Sequence, residues 1–473
     1  MTPASTGDAA AGHAVVVGGS MAGLLAARVL ADHFDRVTVV ERDRLPDGAE
    51  HRRGVPQGRQ VHALLARGLQ GMEMLFPGFG RALETSGAVP MRLPRDMLIL
   101  GRGGWIDRRA PGWLALSASR PLIEATVRRR LRALPGVTVH DGHEVTGLRA
   151  SDDGRVVRGV ALREVDGDGG PCTEADLVVD ASGRGSRAPA WLAELGHGTP
   201  QSTTIDAGIA YAGRLYRIPG GFTADWKGLM IFGTPVTNPR TGYLFPVEGG
   251  RWVLGLVGVA GHPPPADDEG YTAYMRRLRH PVLADALAGA EPLSDIRVHR
   301  GTSNRRWHFE RMSRWPERFV VLGDAACAFD PVYGQGMSSA VIAAEALDGC
   351  LRDHRHGSPA SDLDGLARRF QRALSRRHDG PWRFSTGEDL RHPTTTGASA
   401  GPLMRAQHRY LGRLEAAATY DPAVADLYTR ALGMLERPTA LLRPRIVAAA
   451  VRSRPGTEQT TPPTRPALLT ARL

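Results

Sequence analysis

The residues best suited to chemistry sit in glycine-bearing bends far apart in the chain. The first is Gly18-Gly19-Ser20-Met21-Ala22-Gly23, which follows a β-branched run over 13–18 and opens a helical pattern over 21–33. A second strand pattern over 36–40 then ends in the carboxylate of Glu41. Glycines after a strand let backbone approach a diphosphate, and the helix start offers free N–H groups and a positive dipole end. An acid closing the second strand accepts from ribose hydroxyls, and it disfavours NADP because it repels a 2′-phosphate. Ser20 stands where the usual Gly-x-Gly-x-x-Gly fingerprint has its middle glycine; it is a small replacement that can add a hydrogen bond.

The second bend is Gly323-Asp324, after a buried strand pattern over 319–322. Pro331, Gly334, Gly336 and Met337 follow and lead into a helical pattern over 338–347. The Gly-Asp turn sets a carboxylate beside a sugar–phosphate link. The glycines bring backbone near a planar ring, and the next helix start favours negative charge there. A third bend, Asp180-Ala181-Ser182-Gly183-Arg184-Gly185-Ser186, ends a strand pattern over 175–180. Taken together they read as one cradle for a long cofactor held at its adenosine, pyrophosphate and ring ends, which is what FAD requires. Arg42, beside Glu41, and Val145 complete the candidates on the cofactor side.

Neither a nucleophile–base signature nor a His/Cys cluster is present, so no catalytic side chain and no metal site are expected. Cys172, Cys327 and Cys350 are widely spaced and odd in number, which fits a reducing, cytoplasmic setting rather than a disulfide framework. The net charge of +11 is carried almost wholly by arginine, Lys227 being the one lysine. Its scatter argues against a nucleic-acid partner, while an anionic cofactor or peripheral contact with a membrane surface can use part of it. With no apolar run of about 18 residues, no membrane-spanning helix is expected. The first twelve residues lack the basic start and apolar core of a signal peptide and read as a loose leader.

At 473 residues the chain exceeds a single ordinary core. The expected class is α/β: a Rossmann-like FAD-binding domain, an inserted antiparallel-sheet substrate domain and a C-terminal helical region. The first is assigned to 1–85, 119–200 and 295–350, the second to 86–118 and 201–294, the third to 351–452, with a disordered tail over 453–473. The spacing predicts a helix over 120–134 and strands over 137–139 and 155–164 around an Asp152-Asp153-Gly154 turn. Strands over 209–217, 241–246 and 251–259 form the second sheet, followed by helices over 269–279, 351–378 and 404–435. Tyr211, Phe232, Tyr243, Phe245 and Trp252 on that sheet are the candidate walls of an apolar substrate pocket.

In these motifs, their order and rough spacing, the chain resembles the single-component FAD-dependent aromatic hydroxylases and epoxidases of the para-hydroxybenzoate hydroxylase fold. It looks most like the bacterial flavin epoxidases of polyether and terpenoid pathways. Their Gly-x-Ser-Met-Ala-Gly, Arg-Lys-Gly-Val-Pro-Gln and Ser-Arg-Pro-Leu stretches are similar to 18–23, to Arg52-Arg53-Gly54-Val55-Pro56-Gln57 and to Ser119-Arg120-Pro121-Leu122. The resemblance implies that Arg120 contacts the cofactor and that Arg59 or a neighbour does so too. It implies FAD reduced by NAD(P)H as a transient donor, reaction with O₂ through a flavin hydroperoxide, and epoxidation or hydroxylation of an apolar polyketide or terpenoid. An FAD-dependent reductase of isoprenoid double bonds and a non-catalytic flavin- or lipid-binding module remain alternatives. A halogenase on the same scaffold requires a catalytic lysine and a Trp-x-Trp-x-x-Pro stretch; the latter is absent and Lys227 lies in the wrong region. The substrate, its regiochemistry and the oligomeric state are not specified by the sequence.

Overall fold

The computed structural model of the chain describes residues 12–167, 170, 172–259, 261–356, 362–453 and 461–465. The leader up to residue 11 and most of the expected tail lie outside them. Within the tail, residues 461–465 lie on the fold. The Pro463 carbonyl accepts from Arg108 at 2.9 Å and Arg465 pairs with Asp96 at 2.8 Å.

A five-stranded parallel sheet runs in the order Phe319–Val321, Leu177–Asp180, His13–Val17, Arg36–Glu41, Val137–Asp141. Its central strand, HAVVV, is buried at every position, as expected of a strand covered on both faces. The helices Met21–Leu30, Arg120–Arg132 and Gly336–Arg355 pack together beside it. A three-stranded antiparallel sheet, His143–Ala150, Val157–Glu164 and Cys172–Glu174, packs on the Leu177–Asp180 and Arg36–Glu41 strands. The strand expected over 155–164 therefore pairs with His143–Ala150 and not with the 137–139 run, which belongs to the parallel sheet.

A seven-stranded sheet carries the second layer, with Ala210–Arg217, Arg251–Gly258, Arg240–Val247 and Gly228–Ile231 at its centre. It is antiparallel except where Gly228–Ile231 runs parallel to Met97–Gly101. Side chains alternate faces with period two. Leu98, Leu244, Leu254 and Leu256 pack under the helices Asp268–Arg276 and Val282–Ala286. Met97, Ile99, Phe245 and Val253 point to the other side, against the C-terminal helices.

The C-terminal helices also differ from expectation. The helix opened at Gly336 runs unbroken to Arg355, and the next, Leu366–Asp389, continues through Pro381. The 404–435 pattern is two helices, Pro402–Ala417 and Pro422–Leu432; the Asp421 carboxylate accepts from the N–H groups of Ala423 and Val424 and caps the second. The signal was an Asp-Pro pair, a helix start rather than a helix interior.

Gly18 shows why the first bend needs glycine. Its φ is +102°, and a Cβ there would lie 2.7 Å from the Ala181 carbonyl oxygen. Gly18→Val should therefore cost about 3 kcal/mol or more through backbone strain and overpacking. Thermal unfolding followed by circular dichroism checks this: the midpoint falls by several degrees, and an unchanged midpoint refutes the assignment.

Candidate functional site

The ends of the parallel strands, the inner face of the seven-stranded sheet and the C-terminal helices enclose one cavity of about 1720 Å³. It is lined from Gly18, Ser20 and Met21 through Arg120 and Asp324 to Gly334, Gly336 and Met337, and onward to Tyr243 and Phe245. The bends separated in sequence thus converge on one continuous space.

At its first end the Met21–Leu30 helix begins directly after the Gly18 turn. Ser20 is the residue before it, and its hydroxyl accepts from Arg120 Nη2 at 3.0 Å. Glu41 is 5% exposed; its carboxylate accepts from the Gly19 N–H at 2.7 Å and the Asp43 N–H at 3.0 Å. Arg52 holds this end together, reaching Glu124 at 2.8 Å, Asp43 at 2.9 Å and Glu41 at 3.3 Å. Glu124 in turn pairs with Arg120 at 2.9 Å and Arg128 at 3.6 Å. Three guanidiniums face three carboxylates, which is what makes their burial tolerable. Arg120 Nη1 stays buried without a hydrogen-bond partner while its residue lines the cavity. Burial pushes the Arg120 pKa down, and the neighbouring Glu124 resists.

Further along, Gly323 sits at φ +63°, and Asp324 follows in a tight turn with its side chain 42% exposed to the cavity. The enclosed position pushes the Asp324 carboxyl up, against Arg184, Arg305 and Arg120, which pull it down. Arg184 Nε stands 4.0 Å away and is fixed by donating to the carbonyls of Ser303 and Phe329 at 2.7 and 2.5 Å. Pro331 opens another tight turn, Gly334 takes φ +66°, and the Gly336–Arg355 helix starts two residues later. The hydroxyls of Ser338 and Ser339 in its first turn are buried and unpartnered.

Several expected residues stand elsewhere. Gly23 lies behind the first turn and not on the cavity: a Cβ there would fall 1.8 Å from the Gly18 carbonyl oxygen, so it serves helix–strand contact. Asp180 is fully buried and does not line the cavity. Its carboxylate accepts from the Ser182 N–H and hydroxyl and from the Ser186 hydroxyl, tying its own turn. Arg59 ends the Pro56–Arg59 turn outside the cavity, while its neighbours Gln57 and Gln60 line it. Trp252 is on the opposite face of the sheet, stacked with Trp226 at 6.5 Å and edge-on to Phe222 at 4.8 Å. It shares parity with Leu254, whereas Phe245 pairs with Val253; one residue along a strand exchanges the two faces. Arg42 and Val145 do line the cavity, as do Tyr211, Phe232, Tyr243 and Phe245. Phe232 and Tyr243 meet edge to face at 5.9 Å.

A buried polar network unannounced by the sequence reading joins the sheet to the Pro331 turn. Tyr211 donates to Asp330, whose own N–H donates to Asn304 Oδ1 at 2.9 Å. Asn304 Nδ2 donates to Asp389 at 2.6 Å, and the Tyr333 hydroxyl donates to the same carboxylate at 2.9 Å. Both carboxyls are raised above their ordinary values by burial, Asp389 also by the proximity of Asp330. Arg52, Glu124, Arg184, Asn304 and Asp389 were not among the expected site residues. Their roles depend on partners distant in sequence, although Arg52 and Arg184 each stand inside a stretch the sequence singles out.

No family model matches the chain. It is 33% identical over 437 residues to protein Rv3254 of Mycobacterium tuberculosis, covering 90% of each. It is 28% identical over 363 residues to kynurenine 3-monooxygenase of Salinispora arenicola, covering 72% of each. Among solved structures it superposes on CmlS, a flavin-dependent halogenase, with TM-score 0.64 and 19% identity, covering 90% of this chain and 78% of that one. It superposes on pqsL, a probable FAD-dependent monooxygenase from Pseudomonas aeruginosa, with TM-score 0.57 and 16% identity, covering 88% and 98%. The fold is that of FAD-dependent monooxygenases and halogenases.

The raised carboxyls make a pH prediction. A group with a raised folded-state pKa keeps a proton that the unfolded chain has released. Its stabilisation is complete below the ordinary carboxylate value, about pH 4, and is lost as pH rises through the folded value. Asp389→Asn, neutral at every pH and able to accept from Asn304, should flatten the fall in stability between about pH 5 and about pH 9. Urea midpoints across that range check this; a decline as steep as in the parent refutes it.

Proposed function

The chain belongs to the same family as protein Rv3254 of Mycobacterium tuberculosis; from its likeness to kynurenine 3-monooxygenase and the fold it shares with pqsL we propose that it is an FAD-dependent monooxygenase. In this reading it uses NAD(P)H and O₂ to hydroxylate or epoxidise an apolar polyketide or terpenoid. The observation that carries it is the single cavity joining a nucleotide-type turn at Gly18 to an apolar chamber walled by Tyr243 and Phe245.

The residues present fit FAD. The Gly18 turn has no room for a side chain, and Arg120 offers a buried, unpaired N–H to an anion. Gly18, Ser20, Met21, Glu41 and Arg42 would hold the adenosine and diphosphate end, and Asp324 with Arg184 the linking sugar alcohol. Pro331, Gly334, Gly336 and Met337 would lie at the ring end, where the helix start favours negative charge. When bound, FAD would supply the redox chemistry, two-electron reduction by a nicotinamide donor and activation of O₂, with one oxygen atom going to the substrate and the other to water. The chain's own part is to orient and to exclude water, tasks that suit an apolar wall without an acid–base dyad. No second Gly-x-Gly-x-x-Gly stretch is evident in the sequence, so in this reading the nicotinamide donor binds transiently, without a Rossmann domain of its own.

Halogenation has less support, although CmlS shares the fold. Lys227 lies outside the main cavity, donating to the Pro90 carbonyl at 2.6 Å and standing 3.8 Å from Asp96.

An absorption spectrum of the purified protein is the first test: flavin bands are expected, and a colourless protein that stays so after incubation with FAD refutes the reading. Oxygen uptake coupled to NAD(P)H oxidation and to an oxygenated product then separates a monooxygenase from a reductase, which forms product anaerobically. Asp324→Ala removes a charged acceptor and should weaken FAD binding by about tenfold to a hundredfold. The flavin-to-protein absorbance ratio after gel filtration checks it, with full retention contradicting the role.

A further inference from the structure

The wall of the cavity beyond Tyr243 and Phe245 is not uniformly apolar. The turn after the Met97–Gly101 strand brings Arg102 between two acids: Glu388, in the last turn of Leu366–Asp389, and Glu415, on Pro402–Ala417. Arg102 reaches Glu388 at 2.9 Å and Glu415 Oε1 at 2.5 Å. Tyr428, on Pro422–Leu432, donates to the same Glu415 oxygen at 3.1 Å. Arg391 pairs with Glu388 at 3.0 Å. Two guanidiniums against two carboxylates sum to zero, so the cluster has no excess charge for a ligand to neutralise.

Two atoms of the cluster are buried without a partner, Arg391 Nη2 and Glu415 Oε2, and only the second belongs to a residue on the cavity. Glu415 is 2% exposed, its residue lines the cavity, and its Oε2 is buried with no hydrogen-bond partner. An ionised carboxylate oxygen can only accept, and leaving it unpaired away from water is costly. The geometry points to a ligand subsite here: Glu415 Oε2 accepts a hydrogen bond from a hydroxyl, phenolic or alcoholic, borne by an otherwise apolar ligand. Leu411 and Leu432 also line the cavity and suit an apolar remainder.

The subsite has a defined place relative to the rest of the site. Tyr333, within the Pro331 turn, donates to Asp389, the residue after Glu388. The hydroxyl-binding end is therefore braced to the turn assigned above to the ring end of the cofactor. The inference rests on that functional reading for the ligand's being the substrate, but the binding preference itself does not require flavin.

Matched probes test it. β-Naphthol and its methyl ether have the same apolar body, and only the first can donate. Calorimetric titration of the full chain, as purified and after FAD addition, should show the naphthol binding at least about tenfold more tightly. In Glu415→Gln the amide oxygen stays with Arg102 and the amide nitrogen turns to the cavity, where it can donate to either probe's oxygen. The preference should then fall to threefold or less. Equal affinities in the parent, no binding of either probe, or an undiminished preference in Glu415→Gln each overturn the subsite. Should that variant fail to fold, Tyr428→Phe supplies the second arm: relieving Oε1 of one donor strengthens naphthol binding threefold or more and leaves the ether unchanged. Unaltered naphthol affinity there overturns it equally. A colourless protein that still prefers the naphthol removes the flavin reading and keeps the subsite; a flavin-loaded protein without the preference does the reverse.

Discussion

The pairing of Arg52 with three carboxylates is the interaction on which the cofactor end of the site depends. Its guanidinium reaches Glu41 at the end of the Arg36–Glu41 strand, Asp43 just beyond it and Glu124 on the Arg120–Arg132 helix, and donates to the Gly19 carbonyl. A charge that far from water is tolerated only when it is paired and hydrogen-bonded in good geometry. The consequence is positional. With Arg52 and Arg128 spent on Glu124, Arg120 keeps one nitrogen unpaired at the cavity wall. The network both fixes the Gly18 turn and leaves an anion-binding group beside it.

The opposite end is fixed by neutral and carboxyl groups instead. Asp330, Asn304, Asp389, Tyr211 and Tyr333 bind strand, turn and helix into one unit, all but Tyr333 buried. Such networks specify geometry strongly when every member is satisfied, because the alternative is an unpaired buried polar group. The cavity therefore has two rigid ends of different chemistry, and its apolar middle is formed by the inner face of the seven-stranded sheet.

What could be read from the sequence was what is local. Gly18, Ser20 and Glu41 follow in order within 24 positions, and the structure places all three on the cavity. Asp180 and Asp324 looked alike, each an acid after a buried strand, yet only Asp324 faces the cavity. The distinguishing signal lay downstream: Ser182 and Ser186 donate to Asp180 and consume its acceptors. Trp252 was misplaced because strand parity was not carried through its hairpin, where Phe245 stands opposite Val253. The Glu415–Arg102 contact spans 313 positions and the bonds of the Asp330–Asp389 network up to 119, and nothing in either segment alone predicts the other.

The parallel sheet has one further implication, for synthesis. Its outer strand Phe319–Val321 pairs with Leu177–Asp180, so that edge stays open until most of the chain has left the ribosome. An unpaired hydrophobic strand edge invites association with other chains. Chains truncated before residue 319 would leave the Leu177–Asp180 edge unpaired, so the sheet can close only late in synthesis, a delay set by topology rather than by length.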